Sequence, residues 1–300
     1  MPIDVPRALS AGPRSTRLTW DHRDVRLYHL GVGAGIPATD PAELRYTLES
    51  RLHVLPGFAT VAGGAMDWAD AVSAPGVDVD LAAVLHGGQD LTLHRPLPVS
   101  GDVVRTSTLT AVHDKGGAAV LVVRAEAADA EGPLWTSEAQ VFVRGEGGFG
   151  GARGPSGRPP APEGDPDRVV ERPLREDQAL LYRLSGDGNP LHADPDFARR
   201  AGFARPVLHG LCSYGVVLKA AVDTECAGDV TRVRRCTARF TGVAYPGETL
   251  RVAFRRPAPG VLRAEVTAAE RDDAPVLGAL IELLGPGARS GAGAHGVPGA

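Results

Sequence analysis

Within Leu184-Ser185-Gly186-Asp187-Gly188-Asn189-Pro190-Leu191-His192, an acid, an amide and an imidazole fall inside one short stretch of turn-forming sequence. Further along comes Gly210, preceded by His209 and followed by an apolar run. A carboxylate and an imidazole this close can hold one water and move its protons, a contribution of roughly 10²–10⁴-fold. A backbone N–H at a helix start can meet a developing oxyanion, helped by the positive end of the helix. Together these parts suit addition of water to an acyl thioester, or its removal. Asp187 and His192 are the candidate proton-handling groups, Asn189 the candidate orienting amide and Gly210 the candidate oxyanion donor. Pro190 restricts the bend between acid and ring, so both side chains can face one point.

Blander readings compete. Asp-Gly-Asn-Pro is also a common turn, and Asp187 could do no more than close it; spacing alone does not separate the two. A calcium loop over Asp187, Asn189, Asp194 and Asp196 fits poorly. Pro190 interrupts it, and its twelfth position is Ala198, where a bidentate Glu belongs. No metal site is expected. His209 reads as a structural residue at a helix start and stays outside the proton chemistry.

Composition narrows the setting. The chain has 300 residues, enough for two domains, and its 43% hydrophobic content allows a sizeable core. The net charge of −4, with acids and bases interspersed, argues against a nucleic-acid partner. The three cysteines, Cys212, Cys226 and Cys236, have no C-x-x-C spacing, which fits a reducing compartment better than a disulfide framework or zinc site. There is no apolar run long enough to span a bilayer, and no secretory signal pattern at the start. The last residues, Val297-Pro298-Gly299-Ala300, are not a peroxisomal tripeptide. A cytoplasmic protein without membrane contact is expected.

The elements that must position the site follow from periodicity. Glu176 to Leu184 reads as a short helix, and Leu211 to Thr224 as an apolar one. Val103 to Ala128 alternates around a turn at Asp114-Lys115-Gly116-Gly117, and Trp135 to Val143 continues it. Val233–Phe240, Thr249–Arg255, Leu262–Ala269 and Val276–Leu284 read as further strands. One apolar helix followed by a meander is an α+β pattern, a sheet wrapped around a helix. Gly, Pro and charge crowd residues 145–168, so 146–172 is assigned as a linker between 1–145 and 173–285, with 286–300 as a disordered tail. The halves read as diverged copies. Aligning Tyr28 with Tyr182 sets Gly33 opposite Asp187 and Ala38 opposite His192, so only the second copy carries the acid and the ring.

The segment Tyr182 to Gly215, with its S-G-D-G-N-P-L-H-A-D-P and P-V-L-H-G-L-C cores, resembles the MaoC-like hydratases, and more narrowly the (R)-specific enoyl-CoA hydratase 2 family. R-D-V-x-L-Y-x-L-G-V-G at 23–33, L-x-H-G-x-Q at 84–89, H-R-P-L-P at 94–98, D-K-G at 114–116 and F-V-R-G-x-G-G-F-G-G at 142–151 extend the likeness over roughly residues 18–285. The resemblance implies a double hot-dog fold whose first unit is non-catalytic and accommodates the acyl group. It implies reversible hydration of trans-2-enoyl-CoA to (3R)-3-hydroxyacyl-CoA in fatty-acyl or sterol side-chain β-oxidation, with no cofactor. His192 and His209-Gly210 in family order then favour chemistry over a bare turn at Asp187. Family matches also imply substrate contacts at His86, Gly87, Lys115 and Phe240, the Lys115 ammonium suiting CoA phosphates. A dehydratase acting on carrier-protein thioesters, or a non-catalytic acyl-CoA-binding hot-dog protein, are the alternatives. A homodimer is possible on the same grounds. Gly188, His29 and Gly88 depart from common family choices and bear on chain length more than on reaction.

Overall fold

Along Val261–Ala268, Leu262, Ala264, Val266 and Ala268 are buried, while the residues between them are only half-buried. A strand with one face on the core buries that set together. The same alternation builds most of the sheet. The computed structural model describes residues 3–155 and 164–285. Its first-half strands are β1 (Arg14–Trp20), β2 (Val84–Leu93), β3 (Gly101–Asp114), β4 (Ala118–Asp129) and β5 (Gly132–Arg144). The second half supplies β6 (Arg168–Pro173), β7 (Val233–Phe240), β8 (Thr249–Ala258), β9 (Val261–Ala268) and β10 (Ala274–Leu283).

Among the described residues these strands form one ten-stranded sheet, ordered β1-β3-β4-β5-β2-β7-β10-β9-β8-β6. Read outward from the β2/β7 seam, the two halves have the same connectivity, so the internal repeat is a repeat of topology. The seam is antiparallel, with Gly88 opposite Arg239 and Leu91 opposite Cys236.

The helices are α1 (Val5–Ser10), α2 (His22–Gly31), α3 (Pro41–Thr47), α4 (Asp67–Val72), α5 (Gln178–Tyr182), α6 (Pro195–Arg200) and α7 (Gly210–Glu225). Helix α7 is the centre of the fold. Every residue from Leu211 to Val222 is buried, as expected for a helix apolar on all sides. Its buried ammonium, Lys219 Nζ, lies 2.7 Å from Glu43 Oε1 and 2.8 Å from Asp223 Oδ2. Removing one partner of such a buried pair typically costs about 3–5 kcal/mol, so Glu43 of the first half and α7 of the second hold each other.

The α+β double hot-dog class stands, with two differences from an expectation of two sheets each wrapped around a central helix: pairing of β2 with β7 joins the sheets into one, and the first half lacks its central helix. Where a counterpart of α7 belongs, the chain makes two 3₁₀ turns, Pro56–Thr60 and Ala62–Gly64, before α4. Pro56 withholds a backbone donor, and Gly63 takes φ 63°, so a long helix cannot pass. The α2 and α5 helices are counterparts, and their Tyr28 and Tyr182 rings meet at 6.1 Å.

The segment 146–172, expected as a linker, is partly structured. Gly148 and Gly150 N–H groups donate to the Asp114 carboxylate at 2.8 and 2.7 Å, and Lys115 Nζ donates to the carbonyls of Arg153 and Pro155. The glycine run is thus folded onto the β3–β4 turn. Residues Arg168–Pro173 then pair with β8 as an edge strand. Neither β6 nor β1 was readable, because edge strands bury too little to show alternation. The expected disordered tail, 286–300, lies outside the described residues.

Candidate active site

The loop after α5 is built to turn sharply. A 3₁₀ turn over Arg183–Ser185 ends at Gly186, whose φ of 126° only glycine adopts readily. A Cβ there would also meet the Gly64 backbone at 3.0 Å. Asp187 follows, 6% exposed. The Asn189 N–H donates to Asp187 Oδ1 at 3.2 Å, and Asn189 Oδ1 accepts from Leu191 N–H at 3.0 Å, opening a second 3₁₀ turn over Pro190–His192. Asn189 therefore orients the carboxylate through its main chain, while its side-chain oxygen caps the next turn.

His192 Nδ1 lies 2.8 Å from the Val207 carbonyl and donates to it. That fixes the tautomer and leaves Nε2 with its lone pair. Burial pushes this imidazole below its ordinary value, with the Asp187 carboxylate pulling the other way. His209 stacks on it, ring centroids 3.7 Å apart and planes 27° apart, with Nε2 at 3.3 Å from the Asp187 carbonyl. Sequence reasoning had set His209 aside as a helix-start residue. Ligand atoms of Asp187, His192 and His209 all lie within 4.8 Å of one another. By type, that trio could also hold a divalent ion, although His209 Nε2 is already engaged with a carbonyl.

At the start of α7, the His209 carbonyl accepts from Cys212 and Ser213 N–H at 3.1 and 3.2 Å. The amides of Gly210 and Leu211 precede these bonds and are the orphan donors of the first turn. Phe240, at the end of β7, lies over Gly210 and meets the His86 ring edge-on at 5.2 Å. His86 Nε2 pairs with Gln89 Oε1 at 3.0 Å, and burial lowers this imidazole's pKa. Gly87 sits in the bulge where β2 shifts register against β5, and a side chain there would press on the Gln140 carbonyl at 3.2 Å.

One cavity of about 1780 Å³ is lined by Asp187, Asn189, His192 and Gly210 together with His86, Gly87, Lys115 and Phe240. All eight residues singled out in the sequence thus share one wall system, drawn from both halves. Its volume exceeds the roughly 300–1,000 Å³ usual for drug-sized ligands, leaving room for a long ligand.

The chain resembles known proteins along nearly its whole length. Residues 18–145 match the MFE-2 hydratase 2 N-terminal domain, and residues 158–272 match the MaoC like domain. The chain is 46% identical over 286 residues to enoyl-CoA hydratase ChsH3 of Mycobacterium tuberculosis, covering 95% of this chain and 99% of that one. A MaoC-like dehydratase from Phytophthora capsici superposes with a TM-score of 0.84 at 27% identity, covering 95% and 99% of the two chains. A further Mycobacterium tuberculosis protein, described as having a double hotdog fold, matches at a TM-score of 0.60 and 15% identity over 91% and 96%, a likeness of fold alone. The chain belongs to the MaoC-like hydratase 2 family of double hot-dog proteins.

Proposed function

We propose that the protein catalyses reversible hydration of a trans-2-enoyl-CoA to the (3R)-3-hydroxyacyl-CoA, as a hydro-lyase of acyl-chain β-oxidation. The observation that carries this reading is the convergence of Asp187, His192 and the α7 amide on one large cavity. It is supported by the match to an enoyl-CoA hydratase along nearly the whole chain.

Two hydrogen bonds, His192 Nδ1 to the Val207 carbonyl and Asn189 N–H to Asp187 Oδ1, support the following steps. His192 Nε2 carries the lone pair, so it takes a proton from a water that Asp187 holds by its second O–H. The water oxygen bonds to C3, and the double-bond electrons move to the thioester oxygen beside the Gly210 amide. The enolate then collapses, and C2 takes the proton from His192 Nε2. One water has been added, and the imidazole is neutral again. Asp187 stabilises the transient imidazolium. Losing one oxyanion donor elsewhere has cost about 2.7–4 kcal/mol, which overlaps the lower part of the roughly 2.7–5.5 kcal/mol that a 10²–10⁴-fold proton relay represents.

Lys115, His86, Gly87 and Phe240 are the proposed substrate contacts. The ammonium of Lys115, beside the glycine run, is suited to the CoA phosphates, and Phe240 and His86 to the thioester end. Among the described residues no helix is long and apolar enough to cross a membrane. Cys212, Cys226 and Cys236 are buried free thiols, which supports a reducing, cytoplasmic setting. The test is loss of the conjugated thioester's ultraviolet absorbance with purified protein, followed by chiral analysis of the product.

A further inference from the structure

His209 precedes α7, yet its side chain makes no capping bond to that helix. It turns to Asp187 and His192 instead. Its Nε2 faces the Asp187 carbonyl at 3.3 Å, and its ring covers His192 at 3.7 Å. The far side leans on Tyr182, with ring centroids 4.9 Å apart. The residue is 1% exposed, and its Nδ1 has no hydrogen-bond partner among the described residues. Protonating Nδ1 would bury an unpaired N–H and set a cation against His192. A ring so placed stays neutral and relays no proton. What it offers is geometry: it is anchored on residue 187, joined covalently to Gly210, and in contact with the face of His192.

We propose that His209 is a positioning residue, a neutral ring anchored on the Asp187 carbonyl that holds the His192 imidazole facing the Asp187 carboxylate. The inference rests on the hydratase reading above. A misplacement of about 1 Å at a reacting group can cost 10²-fold in rate, so the effect belongs in kcat and not in substrate binding.

The experiment compares His209→Ala, His209→Phe (ring kept, donor lost) and His209→Gln (donor kept, ring lost) with wild type. His209→Ala is also made in a His192→Ala background. His209→Ala is expected to lower kcat roughly 10–100-fold with KM within about threefold. The Phe and Gln variants each recover part of that loss. In the His192→Ala background, the same change should lower the residual rate by less than about threefold, because the ring it positions is gone. Full kcat in His209→Ala, a loss confined to KM, or an equal loss in both backgrounds would overturn the proposal. If His209→Ala does not fold, the Phe and Gln variants carry the same two-background comparison. Wild-type protein without activity would remove the hydratase reading itself. Active wild type, inactive Asp187→Asn and fully active His209 variants would remove this inference alone.

Discussion

The Phe240 ring lies so close over Gly210 that a Cβ on residue 210 would come within 3.2 Å of its Cε1 and 3.3 Å of its Cδ1. The ring thus limits the space above the α7 amide, the proposed oxyanion donor. Gly210→Ala must push Phe240 aside or lift the amide. It is expected to lower kcat by about tenfold or more. Gly210→Ala combined with Phe240→Leu should regain part of the loss. Steady-state kinetics on the two variants checks this; a double variant no faster than the single would show that the ring is not the obstacle.

His29 predicts the direction of acid sensitivity. It is fully buried, donates from Nδ1 to the Tyr46 carbonyl at 2.7 Å, and accepts the Leu55 N–H at Nε2, 3.0 Å away. Burial pushes its pKa down to about 4. The unfolded chain binds this proton near pH 6.5 and the native state only near 4, so stability is full above about pH 6.5 and is lost as pH falls between the two. The shift is equivalent to about 3 kcal/mol when complete, and about 2–3 kcal/mol of it is gone by pH 4.5. Burial lowers His192 and His209 as well, in the same direction. Denaturant midpoints at pH 7 and pH 4.5 should therefore fall less for His29→Gln than for wild type. Equal falls would contradict the assignment.

The Asp187, His192 and His209 trio invites a metal test. If His192 and the Asp187 carboxylate act on protons alone, with His209 only positioning them, dialysis against EDTA leaves kcat unchanged within error. Loss of activity that added zinc restores would replace the proton relay with a metal-held water.

Much of this was legible in the residues, for reasons that differ by element. Val233–Phe240 was read to its ends because one face is buried and the other is not. The loop from Gly186 to His192 was legible because its turns are made by residues adjacent in the chain. The role of Asn189 was only half seen. That its N–H, and not its side chain, holds Asp187 is a matter of backbone geometry. His209 was passed over because its neighbours, Asp187 and His192, are distant in sequence; the stack exists only after α7 docks. The missing first-half helix did carry a signal, in Pro56, Gly57, Gly63 and Gly64. The glycine run at 147–151 misled. Its amides serve the Asp114 carboxylate, a contact that composition does not encode.

The most direct measurement of the central claim is turnover of trans-2-enoyl-CoA by wild type, Asp187→Asn and His192→Ala, with the product resolved by chirality. The account predicts a (3R) product from wild type. It also predicts losses in kcat of roughly 10²–10⁴-fold in each variant, with thermal midpoints close to wild type. A (3S) product, no turnover across short, long and branched acyl chains, or an Asp187→Asn variant at full rate would contradict it.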